Sequence, residues 1–188
     1  MRLFQSLLIT GCCAFAFTLH AQNSTNAPAT EIENFELQTD AVIVKGYSEV
    51  GTISTDAGVV SVRCKQSSNA ATGRAEYGIT VGLASSNTRG YLVVDYDELE
   101  SLLNALTFFN RITYNVTPMP SFDAAFTTKS GLRISAHSER RQGGIQSFLQ
   151  FEDSPRISLS SDQFTQFQSL ITQAKSTLDG LKNKGSTP

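Results

Sequence analysis

The sequence predicts an α+β fold built from antiparallel meander sheets and two amphipathic helices, in the order strands, helix, strands, helix. Three observations predict it. β-Branched and aromatic segments separated by turn signals fill residues 35–95. Two later stretches, one beginning at Asp95 and one at Ser160, carry apolar residues at helical spacing. Between them "TPMPSF" interrupts regular structure, since Pro118 and Pro120 can neither continue a helix nor sit in a central strand.

The chain opens with "MRLFQSLLITGCCAFAFTLHAQ", in which Arg2 precedes an apolar run ending near Leu19 and Ala21 offers a small residue for cleavage. Residues 1–21 therefore read as a secretory signal peptide, and export to a periplasm or the extracellular space is expected. The run falls short of the roughly 20 unbroken apolar residues of a membrane span, so none is expected in the mature chain. "ITGC" at Ile9–Cys12 admits a second reading, a lipid anchor on Cys12, although the apolar residues after it do not resemble a tether. Residues 22–34 are polar with no apolar period and read as a flexible lead, so folding is expected to begin near Phe35.

Five strand-like segments follow: "FELQT", "AVIVKGYSEVGTIS", "GVVSVRCKQ", "RAEYGITVGLA" and "RGYLVVD", separated by "TDAG", "SSNAATG" and "SSNTRG". In the fourth, Tyr77, Ile79, Val81 and Leu83 alternate with Glu76, Gly78, Thr80 and Gly82, so one face of the sheet is apolar. Leu99, Leu102, Leu103, Leu106 and Phe109 then form a helical stripe, with Asp95 and Glu98 spaced as a capping box. Strands return as "AAFTT", "LRISAHS", "IQSFLQFE" and "SPRISLS". The second helix carries Phe164, Phe167, Leu170, Ile171, Ala174 and Leu178, with Ser160 and Gln163 as its capping box and Gly180 as its expected end. One domain is thus expected over residues 35–182, divisible into halves 35–110 and 122–182, with a tail at 183–188.

Laying Asp95 on Ser160 brings Leu99 onto Phe164, Leu102 onto Phe167 and Leu106 onto Ile171, the pattern of a duplicated unit. The alternative is that any strand followed by a capped helix shares this grammar. In its order of strands then helix, twice, the chain is similar in outline to the Whirly and PC4-like single-strand nucleic-acid-binding folds. That resemblance implies an architecture and carries no functional residue.

Several function classes lose support on composition. Loss of the signal removes Arg2 and no acid, taking the formal charge from −2 to −3, which disfavours nucleic acid as partner. It also leaves Cys64 as the single cysteine, so the domain holds without an internal disulfide. Cys64 shares a face with Val60 and Val62 and is expected to be buried as a small hydrophobe. One histidine and one cysteine do not make a metal site, so no metal or cofactor is implied. "DYDELE" lacks the glycine of a calcium loop and reads better as acids at a helix start.

His137 lies in "SAHSERR" beside Ser135, Ser138 and Glu139, but neighbours along one strand do not converge as nucleophile, base and orienter do. The residues with binding character are the aromatics Tyr77, Tyr91 and Phe148 and the arginines Arg133, Arg140 and Arg141; Phe148 falls on the polar face of its strand. The expected function is an exported, non-enzymatic binding or interaction domain acting through a sheet face or edge. Its partner would be a protein, a peptide, a glycan or a second copy of the chain. The alternatives are a small hydrolase using His137 with a distant acid, and a single-strand nucleic-acid-binding protein.

Overall fold

The computed structural model describes residues 29–85, 89–139, 144–151 and 156–185. The first sheet is a four-stranded antiparallel meander, β1 (Ile43–Thr55), β2 (Gly58–Asn69), β3 (Ala75–Ala84) and β4 (Arg89–Asp95). The second repeats the arrangement with β5 (Ser121–Thr127), β6 (Leu132–Glu139), β7 (Ile145–Phe151) and β8 (Ile157–Leu159). Three helices complete the chain: α1 (Glu31–Glu36), α2 (Leu99–Arg111) after the first sheet and α3 (Ser161–Gly185) after the second. The order of strands then helix, twice, is therefore present.

Alternation decides which face is inside. Val60, Val62 and Cys64 of β2, Ile79 and Val81 of β3, Ile134 and Ala136 of β6 and Leu149 of β7 point into one continuous core. Both helical stripes fill that same core, with Leu99, Leu102 and Leu106 from α2 and Phe164, Phe167 and Ile171 from α3 all buried. The helix that follows the second sheet lies across the first. A Cβ built on Gly51 would stand 2.7 Å from a methyl of Leu170, so glycine at this β1 bulge is what lets α3 approach. The Cys64 thiol lies 3.5 Å from the Ala174 carbonyl, and burial pushes its pKa up, which leaves it without nucleophilic character. α2 packs beside α3, with Phe109 edge-on to Phe164 and Gln168 donating to the Thr107 hydroxyl at 2.9 Å. Gln163 and Gln166 donate to the carbonyls of Ser54 and Thr52 at 2.8 and 3.3 Å, closing part of the β1 edge.

Three expectations are corrected. "FELQT" is not a strand, and the lead is not irregular throughout: Glu31–Glu36 is a helix capped by Thr30, with Ile32 and Phe35 buried. Six residues are too few to display a helical period, so a polar reading of the lead missed it. Asp95 does not cap α2. Tyr96–Glu98 winds as a 3₁₀ turn and delays the helix, and the Asp95 carboxylate instead accepts from the backbone N–H groups of Glu31 and Ile32 at 2.6 and 3.2 Å. Glu98 accepts from the Lys129 N–H at 2.8 Å. The Ser160–Gln163 box does form, with bonds of 3.2 and 2.8 Å, so the two caps that aligned in sequence do different work. Finally, α3 runs through Gly180. Glycine inside a helix costs about 1 kcal/mol. Contacts on either side offset it: the Tyr96 hydroxyl bonds Asp179, and the Lys182 ammonium stands 3.7 Å from the Tyr96 ring centroid.

Candidate functional site

Each sheet turns its second face away from the core, and the candidate sites lie there. On the first sheet that face carries Lys65, Gly78 and Asp95 in one cross-strand row, and α1 lies over it. Gly78 makes the approach possible, because a Cβ there would stand 2.6 Å from Ile32 Cδ1. Glu36, at the end of α1, reaches Lys65 at 2.7 Å and also bonds Lys45 and the Ser67 hydroxyl. Burial opposes ionisation of the Glu36 carboxyl, but the bonds from Lys45, Lys65 and Ser67 outweigh it and hold its pKa below the ordinary value.

Beyond α1 the same face is open, as a groove of about 780 Å³ whose lining includes Glu49, Ser61, Arg63, Gly82, Arg89 and Tyr91. Its charges are partly satisfied within the chain. Arg63 lies 3.8 Å from Glu49, with its guanidinium carbon 5.3 Å from the Tyr47 ring centroid.

The outer face of the second sheet is assembled from three strands and the residue before β8. Register sets Asp123 of β5 opposite His137 of β6, Ser135 opposite Phe148 of β7, and Arg133 opposite Gln150. Asp123, His137, Ser135, Phe148 and Arg133, together with Arg156, line a cleft of about 420 Å³. His137 Nδ1 and Asp123 Oδ1 are 2.7 Å apart. The Arg156 guanidinium carbon stands 5.9 Å from the Phe148 ring centroid. Phe148 is half-buried but belongs to no part of the core. Among the described residues neither Arg133 nor Arg156 has an acidic side chain within ion-pair distance.

At the cleft floor is Ser135, only 8 % exposed, whose hydroxyl has no hydrogen-bond partner among the described residues. A buried hydroxyl left unpaired costs about 1–3 kcal/mol. Thr80, Ser138 and Glu98 also carry an unpartnered buried oxygen, but none of them lines this cleft or the groove of the first sheet.

Of the residues singled out from the sequence, Arg133 and Phe148 meet in this cleft. Tyr91 stands in the groove of the other sheet. Tyr77 faces inward against the core, its hydroxyl 3.5 Å from the Gln66 amide nitrogen. Arg140 and Arg141 lie outside the described residues. Sequence reasoning missed Arg156, which precedes a strand of only three residues, and Asp123, whose place beside His137 depends on register between β5 and β6.

Among the described residues no three histidine, cysteine, aspartate or glutamate side chains gather to hold a metal ion, and no helix is long and apolar enough to cross a membrane. Comparison with protein-family models, curated proteins and solved structures found no match. The function therefore rests on the geometry.

Proposed function

We propose that the chain is an exported, non-enzymatic binding module whose outer face on the second sheet takes the ligand. The observation that carries this reading is the Ser135 hydroxyl, buried without a partner among the described residues, in a cleft that also presents two arginines with no acidic partner among them. Polar groups in such a state are costly to keep, and a ligand that pairs with them recovers that cost on binding. A nuclear magnetic resonance titration of the isotopically labelled chain against small anions, sugars and short peptides tests it. Saturable shifts at Arg133, Ser135 and Phe148 support the reading; saturable shifts confined to other surfaces, or none across the panel, overturn it. Export predicts a mature N-terminus at Gln22 in fractionated cells, whereas a lipid-modified Cys12 would make the module membrane-tethered.

A hydrolase is the second reading, favoured by one observation: His137 has an acid, Asp123, from a distant segment at 2.7 Å. Against it, Asp123 is 80 % exposed at its side chain, so nothing holds the pair in a dry, fixed geometry. Nor does the Ser135 hydroxyl bond the imidazole. Hydrolysis on a broad ester and peptide panel that disappears in His137→Ala would establish the enzyme and displace the binding reading. Salt-sensitive retention on single-stranded DNA would do the same for the nucleic-acid reading.

A further inference from the structure

The composition of the second-sheet cleft narrows what it binds, an inference that rests on the binding reading above. Arg133 and Arg156 put two guanidinium groups into a space of about 420 Å³, on a chain whose overall charge is negative. A guanidinium offers a planar fork of N–H donors that matches a carboxylate or a phosphate in bidentate fashion. With no acidic partner among the described residues, both forks are available to a ligand anion. The Ser135 hydroxyl adds a buried donor on the same strand and face as Arg133, two residues along, which places it about 7 Å away.

Between the arginine end and the histidine end lies Phe148, whose ring packs into no core. The Arg156 guanidinium carbon stands 5.9 Å from the ring centroid, at the outer edge of cation–π contact, and the ring remains only half-buried. A flat ring ligand gains offset stacking there. At the far end Asp123 is negative and bonded to His137, which disfavours a second anionic group at that position. The cleft is therefore polarised along its length, with cations, then an aromatic platform and a hydroxyl, then a histidine held by an acid.

We propose that this cleft binds a small molecule with a single anionic group, a carboxylate or a phosphate, attached directly to a planar ring. The anion sits at Arg133 and Arg156, accepting also from Ser135, and the ring lies on Phe148. Its size fits the cleft, which is at the small end of the range for ligand pockets.

The test is a titration of the full chain with five probes: benzoate, phenyl phosphate, acetate, inorganic phosphate and benzamide. Benzoate or phenyl phosphate should bind saturably with shifts at Arg133, Ser135 and Phe148, and the tighter of the two identifies the anion. Acetate, inorganic phosphate and benzamide should each bind at least about tenfold more weakly, since each lacks either the ring or the charge. Arg133→Ala and Arg156→Ala should each weaken the ring-bearing anion by about tenfold or more, and Phe148→Ala should abolish the advantage of benzoate over acetate. Circular dichroism of each variant separates lost binding from lost folding, and Arg133→Lys should recover part of the affinity because it restores the charge without the fork.

Benzamide binding as tightly as benzoate, or affinity indifferent to Arg133→Ala in a folded variant, overturns the anion while leaving the cleft as a binding site. Absence of any effect from all five probes overturns this proposal too, and the sugar and peptide arms of the wider panel then decide whether the binding reading survives.

Discussion

Lys65 and Ser67 on the outer face of the first sheet and Ser135 on the outer face of the second are all buried polar side chains on central strands. The first two are paired within the chain: both meet Glu36, which α1 lowers onto them. The Ser135 hydroxyl has no partner among the described residues. The first sheet spends a helix, a glycine at Gly78 and an aspartate at Asp95 to close its face over these groups, and among the described residues no such helix lies over the second sheet's outer face. Thr80 on the first outer face also has a hydroxyl unpartnered among the described residues, but it does not line the groove there; for the groups at the two sites, the difference separates polarity that stabilises a fold from polarity that the fold leaves for another molecule.

Removing the closure should be costly on one side only. Ile32 is fully buried between α1 and the first sheet, and Ile32→Ala should lower unfolding free energy by about 2–4 kcal/mol in urea denaturation. Phe148→Ala on the other sheet, deleting a half-buried ring outside the core, should cost clearly less in the same experiment. Equal costs would erase the contrast. Asp95→Asn keeps the side-chain shape but loses the charged acceptor for two N–H groups of α1. It should cost about 1.5–3 kcal/mol and speed hydrogen exchange at Glu31 and Ile32, with exchange in β6 unchanged at native pH.

How much of this was legible in the sequence depended on how local the signal is. Alternation along β3 and β7 gave the inward faces and turned Phe148 outward, and the stripe positions of α2 and α3 are buried as their spacing required, apart from the partly buried Leu103. The Ser160–Gln163 cap was legible because its two bonds close within four residues. The Thr30–Glu33 box of α1 is equally local but heads a helix too short to show a period, and the Asp95 carboxylate that also accepts from α1 is 64 residues away in sequence. The same limit hid the cleft: Asp123 reaches His137, and Arg156 reaches Phe148, only through the register of the second sheet. Arginines and aromatics grouped from sequence as a single surface therefore divide between two outer faces and an inner one.

Acid gives a smaller effect that again touches one face. The Glu36 carboxyl titrates below its ordinary value of 4.5 when folded. Its contribution is thus complete above that pH and is lost as pH falls through the folded value. Stability should decline below about pH 4.5, and the decline should be shallower in Glu36→Gln. Asp179, lowered mainly by the Tyr96 hydroxyl and also by Lys175, adds its own share, so an acid slope should remain in that variant. A slope unchanged by Glu36→Gln would remove the Glu36 network from the account.

The most direct measurement compares one substitution on the two faces: thermal and urea unfolding of Ser67→Ala and Ser135→Ala without ligand. Ser67→Ala should cost about 1–3 kcal/mol, because it removes a hydrogen bond to a charged, partly buried carboxylate. Ser135→Ala should leave stability unchanged or raise it by up to about 1 kcal/mol, since it deletes a buried hydroxyl that bonds nothing. A loss at Ser135 as large as that at Ser67 would mean that its hydroxyl already serves the fold, and would contradict its reservation for a ligand.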